Sequence, residues 1–499
     1  MFEKITPEEA GISSAYVKKF IKKIEARGAI MHSLLLVRHG KIFAEHYWAP
    51  FTADSLQRMY SQTKSYTAMA LGLLRSEGKL SFNDKISDHF PEKINGEIPE
   101  HLKNLTVEDM LKMSTAGGPT KWFDCGNPDR TNHYFHGREY THAPDTYWKY
   151  DSAGSQVLAN LAEKLSGMKL LDYLKSKLFN KMGTFQSARM LMCANGDAWG
   201  DSALLCTTRD MASGGQLLMQ GGMWNGEQLL DADFIKVATS KLVNNRTNWT
   251  RHCLDAEGYG YQIWRAPGNG FAFVGMGDQL TICLPDKDFM FVCTADHQAP
   301  ADAGEKPIRT MLVNALYDFI VDNLGDKPLP EDKSAYADYT AACAKLELAC
   351  IKGEEDSPLR EKINGVTYEC ESNVMGWTRF RFDFNDERGG ELHYTNAQGD
   401  KVIPFGVNHN VYGYFPELGY SNEYGSVPTT DGFMYKDAVN LAWLDDNKLI
   451  LEIKIIDTYL GTASGVFGFN GDYVAAHFEK AAEAFLNEYQ GEFCGKAVK

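Results

Sequence analysis

Ser61-Gln-Thr-Lys64 is the pair of residues in this sequence best spaced for chemistry. A serine hydroxyl is a poor nucleophile until a neighbouring group takes its proton. A lysine three residues further along a helix stands on the same face, about one turn away. Its amine serves as a base when its surroundings favour the neutral form. S-x-x-K alone recurs by chance in long chains, so the setting decides. Ser61 opens a predicted helix over 61–80, which leaves its backbone N–H without an intrahelical partner. The positive end of that helix favours the negative charge that grows on an attacked carbonyl oxygen. Behind the serine, Ala68, Met69, Ala70, Leu71, Leu73 and Leu74 are small and apolar, as in a buried central helix.

Two further patterns fit the same chemistry. In PDTYWKYDSAGSQVL (144–158), Tyr150 falls at a loop-to-helix junction with Asp151 or Ser152 as the cap. A phenol there can relay a proton between nucleophile and leaving group, although aromatic residues at such junctions more often only pack. FAFVGMGDQ (271–279) reads as a strand with glycines at 275 and 277. Such glycines admit a ligand close to the backbone or mark a bulge. An aromatic, loop-rich stretch over 114–149 holds Trp122, His133, His136, His142 and Tyr147 and is read as lining a pocket. Its histidines lack the helical spacing of a metal site, so no metal is expected. GGMWNG (221–226) and GNG (268–270) are turns rather than phosphate loops, since neither ends in Lys-Ser/Thr.

These candidates need elements to hold them. Residues 13–28 form an amphipathic helix with a serine cap and Gly28 at its end, and 32–48 form a hairpin. Thr106 and Asp109 make a capping box for a short helix over 106–113. Helices follow at 152–167 and 207–222. Four strand-like runs come next, YGYQIW, FAFVGM, LTICL and FMFVCTA, and then a helix over 306–324. Segregated strands and helices mean α+β. The terminal helices are expected on one face of an antiparallel sheet, and the helical block on the other face or at the edge. GDKPLPEDK (325–333) reads as a linker. Beyond it, WTRFRFDF and KLILEIKIID alternate with period two, the mark of half-buried antiparallel strands. Residues 334–499 are therefore expected to form a mostly β accessory domain. YVAAHFEKAAEAFLNEYQG (473–491) fits strand or helix equally well.

The bulk properties narrow the function. A formal net charge of -15 lacks the basic balance of a nucleic-acid partner and disfavours anionic lipid. No run approaches the length of a membrane span, and the first residues lack the apolar core of a signal peptide, so a cytoplasmic protein is expected. The ten cysteines show no zinc spacing and read as reduced thiols, several of them in apolar runs.

Taken in order, the motifs resemble the serine β-lactamase-related family. They are S-x-x-K, GKLSFNDKISDHFPE (78–92), LTVEDMLKMSTAGG (105–118), P-D-T-x-x-x-Y, TTRDMASGGQLLMQGG and YGYQIW…FAFVGMGDQLTICLPDKDF. Within that family the likeness is to class C-like esterases and 6-aminohexanoate-dimer hydrolases, and it spans about 1–325. The resemblance implies a β-lactamase/transpeptidase-like sandwich, a central antiparallel sheet flanked by helices. It implies Ser61 as the acylated residue, Lys64 as its base and Tyr150 as the tyrosine of a Y-x-N motif with Ser152 in the Asn position. Gly275 would match the glycine of the K-T-G motif, with Gly277 just beyond it. The N–H of Met276 with that of Ser61 would form the oxyanion hole. Phe273 stands where the family has a lysine or histidine that helps hold a substrate carboxylate, which argues against β-lactamase or cell-wall peptidase activity.

The function expected is hydrolysis of a small ester or amide through an acyl-enzyme on Ser61, with no cofactor. Trp122 and His142 are expected beside the substrate. D-aminopeptidase-like activity is an alternative that an appended β domain suits. A silent ligand-binding protein on the same fold is another, motivated by Ser152 and Phe273. The accessory domain is left with two roles, shaping the cleft mouth or mediating a homodimer.

Overall fold

The computed structural model describes residues 2–118, 122, 126–246, 254, 256–299, 307–385, 388–417, 434–482 and 486–498. The chain forms two compact units, Met1–His297 with Ala301–Glu347, and Gln298–Pro300 with Leu348–Lys499.

The first unit is built on a seven-stranded sheet. Its spatial order is Glu3–Lys4, Lys41–Tyr47, Met31–Arg38, Phe289–Ala295, Gln279–Leu284, Gly270–Gly275 and Trp264–Ala266. The two-residue N-terminal strand pairs parallel and the other pairs are antiparallel. The central strands are apolar on both faces because both are covered. On one side Phe271, Phe273, Cys283 and Val292 join the core that surrounds helices Thr63–Ser76 and Ser152–Ser166. On the other, Ala272, Val274, Ile282 and Phe291 meet helices Ser14–Glu25 and Ile308–Ala315. Each side is thus one helical layer against the sheet.

The structure departs from the sequence reading at several elements. The helix expected from Ser61 begins as a 3-10 turn, Tyr60–Gln62, and is α-helical only over Thr63–Ser76. Residues 259–263 are not a strand. Gln262 takes a φ of +57°, and its backbone and side-chain N–H groups donate to Leu111 and Met110 carbonyls at the end of helix Val107–Leu111. The run satisfies a helix terminus instead of a ladder, and the strand is Trp264–Ala266. Within the expected loop, Arg130–His136 is a helix capped by Asp129.

The boundary between the units also moves. Lys333–Cys343 is a helix that belongs to the first unit, with Tyr339 buried in its core and bonded to His46. The segment 334–347, expected from sequence in the accessory domain, therefore packs with the first unit.

In the second unit ten antiparallel strands run from Gly399–Val407 at one edge to Val411–Tyr414 at the other. The sheet closes into a barrel where Gly406 and Val407 pair parallel with Asn440 and Leu441. Leu449, Leu451, Ile453 and Ile455 are buried, as their alternation requires. Tyr473–Ala481 is a strand of the barrel.

Eight described cysteines carry free thiols, four of them buried and Cys494 exposed; Cys125 and Cys253 lie outside the described residues. Among the described residues no helix is long and apolar enough to cross a membrane, and no cluster of three or more His, Cys, Asp or Glu residues is placed to hold a metal.

Candidate functional site

Ser61 sits in the 3-10 turn that leads into a helix whose residues Thr63 to Leu74 are all buried. The turn is tightly specified. Tyr60 takes a φ of +46°, a strained value for a bulky residue. The Met59 N–H donates to the Leu204 carbonyl at 2.8 Å. Gly275, at the end of its strand, lies so near that a Cβ there would fall 2.2 Å from the Met59 carbonyl oxygen. Only glycine lets the strand end press against the residues that carry Ser61.

Lys64 follows one turn later with its side chain 1% exposed. Its Nζ donates to Ser61 Oγ at 2.9 Å and to the Asp201 main-chain carbonyl at 2.8 Å. The Asp201 carboxylate is 3.8 Å from Nζ and is instead held by Arg130 at 2.5 Å. Arg130 in turn lies 3.9 Å over the Trp122 ring. The Lys64 amine also stands 5.2 Å from the centre of the Tyr150 ring.

Tyr150 precedes helix Ser152–Ser166. Asp151 is the cap, accepting the Gly154 N–H. Its carboxylate also accepts from Thr115 Oγ1 at 2.8 Å and Arg138 at 2.9 Å. The Tyr150 ring stacks on Trp264 at 5.6 Å. Gln262 ties the two helices together. Its carbonyl accepts from Ser65 Oγ and its side-chain oxygen accepts from Ser155 Oγ.

The loop after Gly275 is pinned as well. Gln279 Nε2 donates to the Met276 carbonyl at 3.0 Å, and Gly277 takes a φ of +70°. Asp278 accepts from His297 Nδ1 at 2.8 Å and from Arg309. Burial alone would raise the Asp278 carboxyl, but Arg309 and His297 outweigh it and bring it down to about 2.

A cleft of about 870 Å³ opens beside Tyr150. Its wall includes Tyr147, Trp148, Lys149, Asn244 and Arg246, but not Ser61. Asp145, also on the wall, is paired with Lys112 at 2.8 Å. Lys149 and Arg246 have no anionic partner among the described residues.

The sequence-derived candidates thus fall into two groups. Ser61, Lys64 and Tyr150 come together, with Gly275 against the Ser61 turn. Ser152 is the first residue of the Tyr150 helix. Three others are placed elsewhere. Phe273 is fully buried beneath the site, edge-on to Tyr66 at 5.9 Å. Trp122 is buried under Arg130, and its indole N–H donates to the Asn127 carbonyl. His142 bonds the Thr115 carbonyl and packs on Tyr147 outside the cleft wall. Trp122 and His142 are aromatic loop residues expected beside a pocket, and Phe273 occupies the K-T-G lysine position, but the contacts of all three are made inside the fold. Arg130, Asp201 and Gln262 escaped notice in the sequence, since none belongs to a local motif.

Residues 16–315 match the family described as Beta-lactamase, and the chain belongs to this family of serine hydrolases. It is 23% identical over 221 residues to the 6-aminohexanoate-dimer hydrolase of Paenarthrobacter ureafaciens, covering 41% of this chain and 56% of that one. It is 28% identical over 138 residues to penicillin-binding protein 4* of Bacillus subtilis (strain 168), covering 27% of this chain and 30% of that one. The matches therefore span about half and under a third of these relatives. A penicillin-binding protein homologue from Caulobacter crescentus shares the fold, with a TM-score of 0.51 at 16% identity over 63% of this chain and 99% of that one.

Proposed function

We propose that this chain hydrolyses a small ester or amide through an acyl-enzyme on Ser61. The observation that carries this reading is the 2.9 Å contact between Lys64 Nζ and Ser61 Oγ, made by a lysine whose other fixed acceptor is a neutral carbonyl. With the amine neutral, the contact runs the other way. The Ser61 hydroxyl donates to Nζ and gives up its proton as Oγ attacks the substrate carbonyl. The N–H groups of Ser61 and Met276 then take the oxyanion. Tyr150, beside the Lys64 amine, hands a proton to the departing oxygen or nitrogen. Water enters and gives a proton to the Tyr150 oxygen as it attacks the acyl carbonyl, Lys64 returns its proton to Ser61 Oγ as the acyl bond breaks, and the acid is released. Amide substrates are favoured by the likeness to a 6-aminohexanoate-dimer hydrolase.

The test is release of p-nitrophenol from a short-chain p-nitrophenyl ester, wild type beside Ser61→Ala. Turnover by the wild type and a loss of at least about a thousandfold in the variant support the reading. Equal rates in the two proteins would exclude Ser61 as the nucleophile.

A further inference from the structure

Lys64 has a carboxylate within ion-pair range to which it makes no hydrogen bond. Lys64, Asp201 and Arg130 have side chains 1%, 4% and 4% exposed, so all three charges interact with little screening by water. The Asp201 carboxylate stands 3.8 Å from Nζ, a long ion pair without a hydrogen bond. A lysine drawn closer to that carboxylate would turn its Nζ away from Ser61 Oγ. Arg130 holds the other carboxylate oxygen, Oδ1, at 2.5 Å. Arg130 is fixed in turn, with its guanidinium 3.9 Å over Trp122 and bonded to Gln156 Oε1 at 3.4 Å. The Asp201 carbonyl, part of the same residue, meanwhile accepts from Nζ at 2.8 Å.

We propose that Arg130 is a positioning residue for Lys64. By engaging the Asp201 carboxylate it leaves the carbonyl of that residue, and not its charge, as the acceptor that aims Nζ at Ser61. The inference rests on the proposed role of Lys64 as base. Among the described residues, the ionisable groups in recorded contact with the amine are Tyr150, Asp201 and, through Asp201, Arg130.

The experiment follows two rates against pH, hydrolysis of a p-nitrophenyl ester and labelling of Ser61 by a fluorophosphonate. Arg130→Gln frees the carboxylate for Lys64, so the acid limb of both profiles moves up by about one to two pH units and activity returns at high pH. Asp201→Asn keeps the carbonyl and leaves a cation near the amine, so the limb moves down. Damage to packing alone would not shift the limb in opposite directions. Limbs that stay in place in both variants, or move the same way, overturn the proposal. If Arg130→Gln does not fold, the downward shift in Asp201→Asn decides alone. A wild type that neither turns over nor is labelled sinks the serine hydrolase reading itself, and the positioning proposal with it.

Discussion

Lys149 and Arg246 stand on the cleft wall without counter-charges among the described residues, in a chain whose net charge is -15. An anionic group on the departing half of a substrate, the half that faces Tyr150, would pair with them. With 4-acetoxyphenylacetate and its neutral amide as substrates, replacing both residues by Met is expected to lower kcat/KM for the acid about tenfold and leave the amide unchanged. Equal losses on both substrates would show that the two cations only support the wall. At this scale the sequence was readable where chemistry is local. Ser61 and Lys64 are three residues apart, in a 3-10 turn and the helix it leads into, and that short spacing allows their contact. Asp201 and Arg130 are 71 residues apart, and no periodicity links such a pair. Phe273 shows the opposite failure, a motif position whose side chain serves the core.

Elements bring these residues together by close backbone approach. The strand end at Gly275 and the turn at Met59 to Ser61 leave no room for a methyl group. Gly275→Ala is expected to cost about 1–3 kcal/mol of stability, as overpacking does. It should also cut kcat/KM more than tenfold, because the Ser61 turn is the part that can yield. Denaturant midpoints and ester kinetics on the same preparation check both; an Ala variant with wild-type values would contradict the close approach. The helices and most strands of the first unit follow from hydrophobic period and capping residues, as the Thr106–Asp109 box illustrates. YGYQIW misled because its apolar alternation is that of a strand, while Gln262 reverses the backbone to satisfy helix carbonyls far away in sequence. Arg130–His136 was missed because seven polar and aromatic residues carry no apolar stripe.

The whole chain divides where apolar cores divide. The linker-like composition of 325–333 suggested a boundary there, but Tyr339 buries itself in the first core and the boundary falls after Glu347. Burial of one tyrosine outweighs a charged, proline-containing surface stretch. In the barrel, burial raises the Asp437 carboxyl to about 7, against weaker opposing hydrogen bonds from the Gly413 and Asp437 N–H groups. A raised carboxyl favours the folded state fully below its unfolded value near 4, and that contribution is lost as pH climbs through 7. The second unit should therefore lose on the order of 3 kcal/mol between pH 4.5 and 8, and Asp437→Asn should flatten the dependence. Urea midpoints of the full chain, followed by tryptophan fluorescence, report this; an unchanged slope in the variant would assign the effect elsewhere. The central claim, a covalent intermediate on Ser61, is tested most directly by intact mass. After brief exposure to a p-nitrophenyl ester and acid quench, the wild type is predicted to carry one acyl group and Ser61→Ala none. A wild type that releases p-nitrophenol with no adduct at any time or pH, or a Ser61→Ala protein that carries the same adduct, would contradict the account.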